Sequence, residues 1–248
     1  MRLHAILARL ALACSILAVA ASSSAPDDAQ RYVQLVESRY HSARTLKAVF
    51  LERYSEGHVT VRLESGTAYF SRPGRMRWEY EEPENKLFLT DGKTVWFYVP
   101  ADHTASRAPM KESSDLRTPL SLITGKSTLS RFCKRIDLLK QAADGGPVTL
   151  RCHPRGAPDT AGTANRPASA AGTSSTQDAG EIQEVLLDVD PTNGWLTRVL
   201  IRQAGGIELE YSFGRWQKDM DLPESMFHFT APKGVAIVDE GTTLGSHQ

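Results

Sequence analysis

The stretch from Tyr69 to Pro100, YFSRPGRMRWEYEEPENKLFLTDGKTVWFYVP, leaves this chain few ways to fold. Four runs of strand-forming residues follow one another, parted by Arg72-Pro73-Gly74, Glu82-Pro83-Glu84-Asn85 and Asp91-Gly92. Around the middle run Arg75, Arg77, Glu79 and Glu81 alternate with Met76, Trp78 and Tyr80, the two-residue period of a half-buried strand. The apolar side is large and mostly aromatic. Such a surface can be core, or it can receive an apolar guest, and the residues alone leave both readings open.

The flanking sequence extends this pattern. Asp27–Lys47 has the spacing of a helix, with Tyr32, Leu35, Val36, Arg39 and Tyr40 recurring and Asp27 or Asp28 as cap. Leu46–Tyr54 alternates with Leu46, Ala48, Phe50 and Tyr54 on one side. Val59, Val61 and Leu63 continue a second strand, in which Gly66 signals a bulge. His103–Met110 reads as a weaker, polar strand. Leu116–Ile123 has the look of a short apolar helix ending at Gly125, built on Pro119, Leu120, Leu122 and Ile123.

From Arg155 to Gly180 small and polar residues dominate, too few of them apolar to offset the entropy of ordering, so an inserted mobile loop is expected. Strands are expected again over Ile182–Asp190, Trp195–Gln203, Ile207–Phe213 and Met226–Thr230, ahead of a polar tail. About ten to eleven antiparallel strands with two helical pieces make a mostly β, α+β domain whose sheet curls.

The 248 residues suit a single domain with a substantial core. Residues 1–21 are read as a secretory signal, Arg2 and Arg9 preceding an apolar run that ends in Ala18-Val19-Ala20, with cleavage between 20 and 25. That run falls short of the ~20 residues needed to span a bilayer. Cys14 lies too close to Arg9 for a lipoprotein signal and leaves with the leader. The domain is then 22–248, with the insertion at 155–180. Lys plus Arg and Asp plus Glu both total 29, which gives no electrostatic reason to expect nucleic acid as a partner.

Cys133 and Cys152 remain, an even number in an oxidising compartment. If the intervening turn centres between Ala142 and Ala143, the two cysteines face each other across a hairpin. The disulfide would contribute about 3 kcal/mol by constraining the unfolded chain. A metal site with His153 lacks further spaced ligands, and no metal or cofactor is expected. Gly92-Lys93-Thr94 and Gly125-Lys126-Ser127 imitate a phosphate loop, but the glycine required upstream is Leu87 or Leu120. No nucleophile elbow or zinc-protease motif occurs, the histidines are scattered, and an enzyme is not expected.

Three pieces in order resemble the LolA family, periplasmic carriers of outer-membrane lipoproteins. They are Arg72-Pro73 followed by Trp78; Thr90-Asp91-Gly92-Lys93-Thr94-Val95-Trp96-Phe97-Tyr98; and Phe227-His228-Phe229-Thr230-Ala231-Pro232-Lys233-Gly234-Val235. The similarity runs from about Ala29 to Glu240, broken by the insertion. It implies an incomplete barrel with helices across its concave side as a lid. It also implies a soluble monomer that takes triacylated lipoproteins from an inner-membrane lipoprotein-releasing ABC transporter towards the outer membrane, where an acceptor lipoprotein could receive them.

By itself Arg72 reads as a surface arginine at a strand end. The resemblance instead makes it a latch onto lid carbonyls, with Leu122 and Ile123 on the matching lid helix. An acyl-chain cavity would then be lined by Leu46, Phe50, Met76, Trp78, Tyr80, Leu87, Leu89 and Leu120. The register leaves open whether Leu87 and Leu89, or Phe88, share that face. One departure stands out: the family usually has Gln where this chain has Glu52, a change expected to matter little to the cavity. The alternatives are a related lipid- or glycolipid-binding or lipoprotein-sensing module, a secreted hydrolase, and a plain scaffold sheet.

Overall fold

The computed structural model describes residues 25–110, 123–124, 128–141, 145–155 and 182–239. The expected signal segment with Cys14, Leu120 and Leu122 with most of their expected helix, and nearly all of the expected insertion lie outside these residues.

Helix α1 spans Ala25–Ser42. It stops short of the expected Lys47 because the strand alternation takes over at once, and β1 runs Thr45–Glu56. The strands that follow are β2 (Val59–Ser71), β3 (Arg75–Glu82), β4 (Lys86–Thr90), β5 (Thr94–Val99) and β6 (Thr104–Pro109). A single turn, α2 (Leu129–Phe132), precedes β7 (Cys133–Lys140) and β8 (Val148–Pro154). Then come β9 (Ile182–Val189), β10 (Leu196–Gln203), β11 (Ile207–Lys218) and β12 (Ala236–Asp239).

All the strands form one sheet of 12, in the order β12-β6-β5-β4-β3-β2-β1-β11-β10-β9-β8-β7. Only the β12–β6 pair is parallel among those described. The edge strands β12 and β7 are not paired to each other, so the barrel is incomplete. Its inner face gathers one apolar cluster, which includes Leu46, Phe50, Phe70, Trp78, Phe88, Leu150, Val185, Val199 and Tyr211. Helix α1 adds Tyr32, Val33, Val36 and Tyr40 to that cluster. The helix thus covers the inner face by burying one stripe of itself, as an amphipathic helix must.

Two bends shape the wall. At Gly66 the β2–β3 register shifts, and a Cβ there would lie 1.9 Å from the Glu79 carbonyl oxygen. Only glycine permits so close an approach. Opposite Val49 the β1–β11 register shifts again. Next to it Arg215 takes a left-handed φ of 54°, and Trp216 ends stacked on Trp195, their ring centroids 5.1 Å apart.

Three expectations change. The Met226–Thr230 strand is instead a 3-10 turn, Glu224–Phe227, with extended chain after it. Phe227 is buried and Phe229 packs on Trp96 and Tyr98, so the alternating aromatics anchor a strap laid over the sheet, not a rung of it. The tail expected to be merely polar supplies β12, its Asp239 paired with Arg107. The Cys133–Cys152 disulfide is present, with Cα atoms 5.5 Å apart. The half-cystines are not directly opposed, however: Cys152 faces Ile136 and Cys133 faces Pro154, because the pairing starts with Lys140 opposite Thr149, about two residues beyond the expected turn centre, and the irregularities in β7 recover only part of that offset.

Candidate functional site

Strands β1, β2 and β3 bring the aromatic residues together. Leu46 pairs with Phe70, and Phe50 with Gly66. Phe70 in turn faces Met76, Ala68 faces Trp78, and Gly66 faces Tyr80. All of these side chains therefore share the inner face. Trp78 is wholly buried, its ring centroid 4.8 Å from Phe50, 5.6 Å from Phe70 and 5.3 Å from Tyr211. These are edge-on or tilted contacts, the geometry aromatic quadrupoles favour. The small Ala68 and Gly66 leave room for the large rings opposite them.

The register also settles the residues of β4. Phe88 faces Trp78 and joins the inner face, while Leu87 pairs with Glu79 and Leu89 with Arg77. Leu87 and Leu89 therefore lie on the outer face and do not line the cavity expected of them. Leu89 is buried nonetheless. It pairs with Trp96, which the strap residue Phe229 covers from outside.

At the end of the barrel where β1 begins, Arg72 joins the wall to helix α1. Its Nη2 donates to the backbone carbonyl of Tyr40 at 3.1 Å, and its main-chain N–H donates to the Arg44 carbonyl. Tyr40 stands in the last turn of α1, whose terminal carbonyls lack helical partners. The arginine thus holds a helix end, as the resemblance implied, but that helix is α1. Tyr40 is itself fixed from the other side, its phenol oxygen accepting the N–H of Leu196 at 3.0 Å. Burial pushes this phenol well above its ordinary pKa, and the Leu196 hydrogen bond offsets only part of the rise.

Beside Arg72 is a hollow of about 130 Å³ bordered by Ala43, Leu46, Phe70, Arg72, Ile123 and Thr124, among others. Ile123 is buried and borders this hollow together with Arg72; Leu122, the third residue expected at a latch, lies outside the described residues. Arg72 Nε is buried without a hydrogen-bond partner among the described residues, and so is Trp78 Nε1. Each such donor costs about 1–3 kcal/mol.

The opposite end of the same strands carries charge inward. Glu52 and Glu64 face each other across β1 and β2, at 2% and 4% exposure. Tyr80 Oη donates to Glu52 at 2.6 Å. Arg62 reaches Glu64 at 2.9 Å and Glu52 at 3.6 Å, while Lys86 Nζ donates to Glu64 at 2.7 Å. Buried carboxylates require such partners. Glu52, expected to matter little to the cavity, stands at the end of the aromatic wall and holds the Tyr80 hydroxyl there. The signal was present: Glu52 falls in phase with Leu46, Ala48 and Phe50.

No group of three or more His, Cys, Asp or Glu able to hold a metal occurs among the described residues. No helix among them is long and apolar enough to cross a membrane.

Residues 41–154 match the family described as outer membrane lipoprotein carrier protein LolA. An outer-membrane lipoprotein carrier protein of Sodalis glossinidius is 25% identical over 94% of this chain and 98% of its own length. One of Nitrosospira multiformis is 24% identical over 83% of this chain and 87% of its own. A crystal structure of an uncharacterized conserved protein from Thermus thermophilus shares the fold, with a TM-score of 0.51 at 13% identity, over 86% of this chain and 99% of that one. The family match runs through Arg72, the aromatic wall and the disulfide hairpin, and a relative aligns along nearly its whole length, so what this chain resembles is the LolA family.

Proposed function

We propose that this protein is a carrier that shields the acyl chains of lipoproteins during their passage to the outer membrane. It works in the periplasm as a soluble monomer after loss of its signal segment, and it catalyses no reaction. Triacylated lipoproteins reach it from an inner-membrane lipoprotein-releasing ABC transporter, and an outer-membrane acceptor takes them over. Two relatives that align over most of their length carry the name of such a carrier. The observation that carries the reading is the Arg72–Tyr40 bond. It ties a helix over an aromatic wall through one donor, while a second donor of the same side chain has no partner among the described residues.

The energetics call for such a device. Each buried methylene is worth about 0.8 kcal/mol. One fully covered sixteen-carbon chain would gain roughly 12 kcal/mol, equivalent to about nanomolar binding. Several chains held so tightly would not be released. A cover that closes on the empty wall subtracts its own closing free energy from the affinity for cargo. Arg72 sets that free energy, and Phe50, Phe70, Met76, Trp78 and Tyr80 form the wall on which the chains lie.

The test is transfer. Arg72→Leu keeps the fold and accepts triacylated lipoprotein, but hands it on at least tenfold more slowly than the parent in a two-step transfer assay. Mass spectrometry of the protein purified from the periplasm finds intact acylated protein bound. Wild-type delivery by Arg72→Leu would remove the latch, and free phospholipid as the sole bound species would remove the carrier.

A further inference from the structure

We infer that the outer end of strand β2, Val59–Glu64, is a docking edge for an extended, basic–apolar segment of a partner protein, which adds to the sheet as a further strand.

The β1–β2 hairpin outruns its neighbour. Strands β1 and β2 pair from Thr45 with Ser71 out to Glu56 with Val59, whereas β3 pairs with β2 no further than Glu82 with Ser65. The β3 side of Val59–Glu64 therefore has no strand partner among the described residues. Its main-chain groups are the template that an added strand uses. Residues 59–63 are all exposed. Val59, Val61 and Leu63 are 67%, 60% and 52% exposed, and Leu51 on the adjoining strand is 43% exposed. The β1–β2 register slips between Arg62 and Thr60, so Val59, opposite Glu56, and Leu63, opposite Arg53, lie on opposite faces and the exposed apolar residues flank the open edge on both sides.

Edges are normally guarded by a charge or a proline. The one charged residue among 59–63, Arg62, is committed elsewhere: it pairs with Glu64 and Glu52 and lies over the Tyr54 ring at 5.2 Å. The edge is thus built of strand-forming residues with one irregularity at Val61 and no proline or uncommitted charge among residues 59–63.

Charge selects the occupant. Where β3 leaves the edge, Glu81, Glu82 and Glu84 are all exposed. Nearby Arg62 and Lys86 pair with the buried Glu52 and Glu64, and of the three exposed glutamates only Glu84 also reaches Lys86, at 3.5 Å, so Glu81 and Glu82 keep this corner acidic. A lysine or arginine on the incoming strand satisfies it. A lipid surface fits poorly, because an unpaired edge immersed in hydrocarbon leaves its N–H and C=O groups unsatisfied. A second copy fits less well too, since antiparallel self-pairing sets Glu56 of one copy towards the Glu81–Glu84 corner of the other.

A fluorescein-labelled heptapeptide alternating valine with lysine and threonine is titrated into the full chain and followed by anisotropy. Hydrogen exchange is read in parallel at 59–64. The expected result is saturable binding with slowed exchange at 59–64, at least tenfold weaker for Val61→Lys and for a peptide with glutamate in place of lysine. Val61 is exposed, so its substitution leaves thermal unfolding unchanged. Binding that is absent, or that Val61→Lys leaves intact, overturns the inference. Self-association without peptide, or binding to anionic phosphatidylglycerol vesicles, that Val61→Lys abolishes while peptide binding is missing, also overturns it, by assigning the edge to a second copy or to a membrane.

Discussion

The two ends of strands β1, β2 and β3 share one alternating pattern and have opposite fates. At the end holding Leu46, Phe70 and Met76 the inner face is covered by helix α1 and closed by Arg72 on Tyr40. At the end holding Glu52 and Glu64 the same face finishes in paired charges, and beyond it the hairpin stands exposed on both sides. Alternation decides which side chains share a face, but neighbouring elements decide whether that face is covered. A carrier benefits from the asymmetry. In the carrier proposed above, the helix closes or opens the oily portion and the ion-paired rung keeps an acyl chain from sliding through the far end.

Substitutions along these strands sharpen the contrast. The largest loss is expected at Trp78→Ala, which empties the centre of the wall and should cost about 3–5 kcal/mol in denaturant unfolding. Glu52→Leu ranks next. It strands the Tyr80 hydroxyl and removes one of the two carboxylates around Arg62, a loss of about 1–3 kcal/mol by the same measurement. Glu52→Gln keeps an acceptor for Tyr80 and should cost less than Glu52→Leu. If the leucine variant were as stable as the glutamine one, the ion-paired rung would have no structural role. Leu63→Ser, at the exposed tip, should change stability by no more than about 0.5 kcal/mol. A large loss there would mean that the hairpin is packed against something.

Much of the barrel was legible because its signals are local. The aromatic alternation of Met76, Trp78 and Tyr80, the glycine at position 66 and the two cysteines each point to one local structure. What escaped the sequence was register and long-range covering. The parity of Leu87 and Leu89 depends on how the Glu82–Asn85 turn hands β3 to β4, which no residue type dictates. The disulfide partners were legible but their offset was not, since several small residues between Gln141 and Pro147 could have centred the turn and the pairing starts with Lys140 opposite Thr149. The strap from Glu224 to Phe229 imitates a strand because its aromatics alternate, and only the sheet beneath shows that they are anchors. Glu52 was visible in phase with the wall, yet its partners Arg62 and Tyr80 come from other strands.

The central claim is that acyl chains lie on the inner aromatic wall after the cover lifts. Photo-crosslinking tests it most directly, using a triacylated lipopeptide with a diazirine midway along one chain and peptide mapping of the adducts. The account predicts labels on Phe50, Phe70, Met76 or Trp78, at a higher yield when Arg72 is replaced by leucine. Labels confined to Leu51, Leu63, Leu87 or Leu89, on the other side of the sheet, would contradict it.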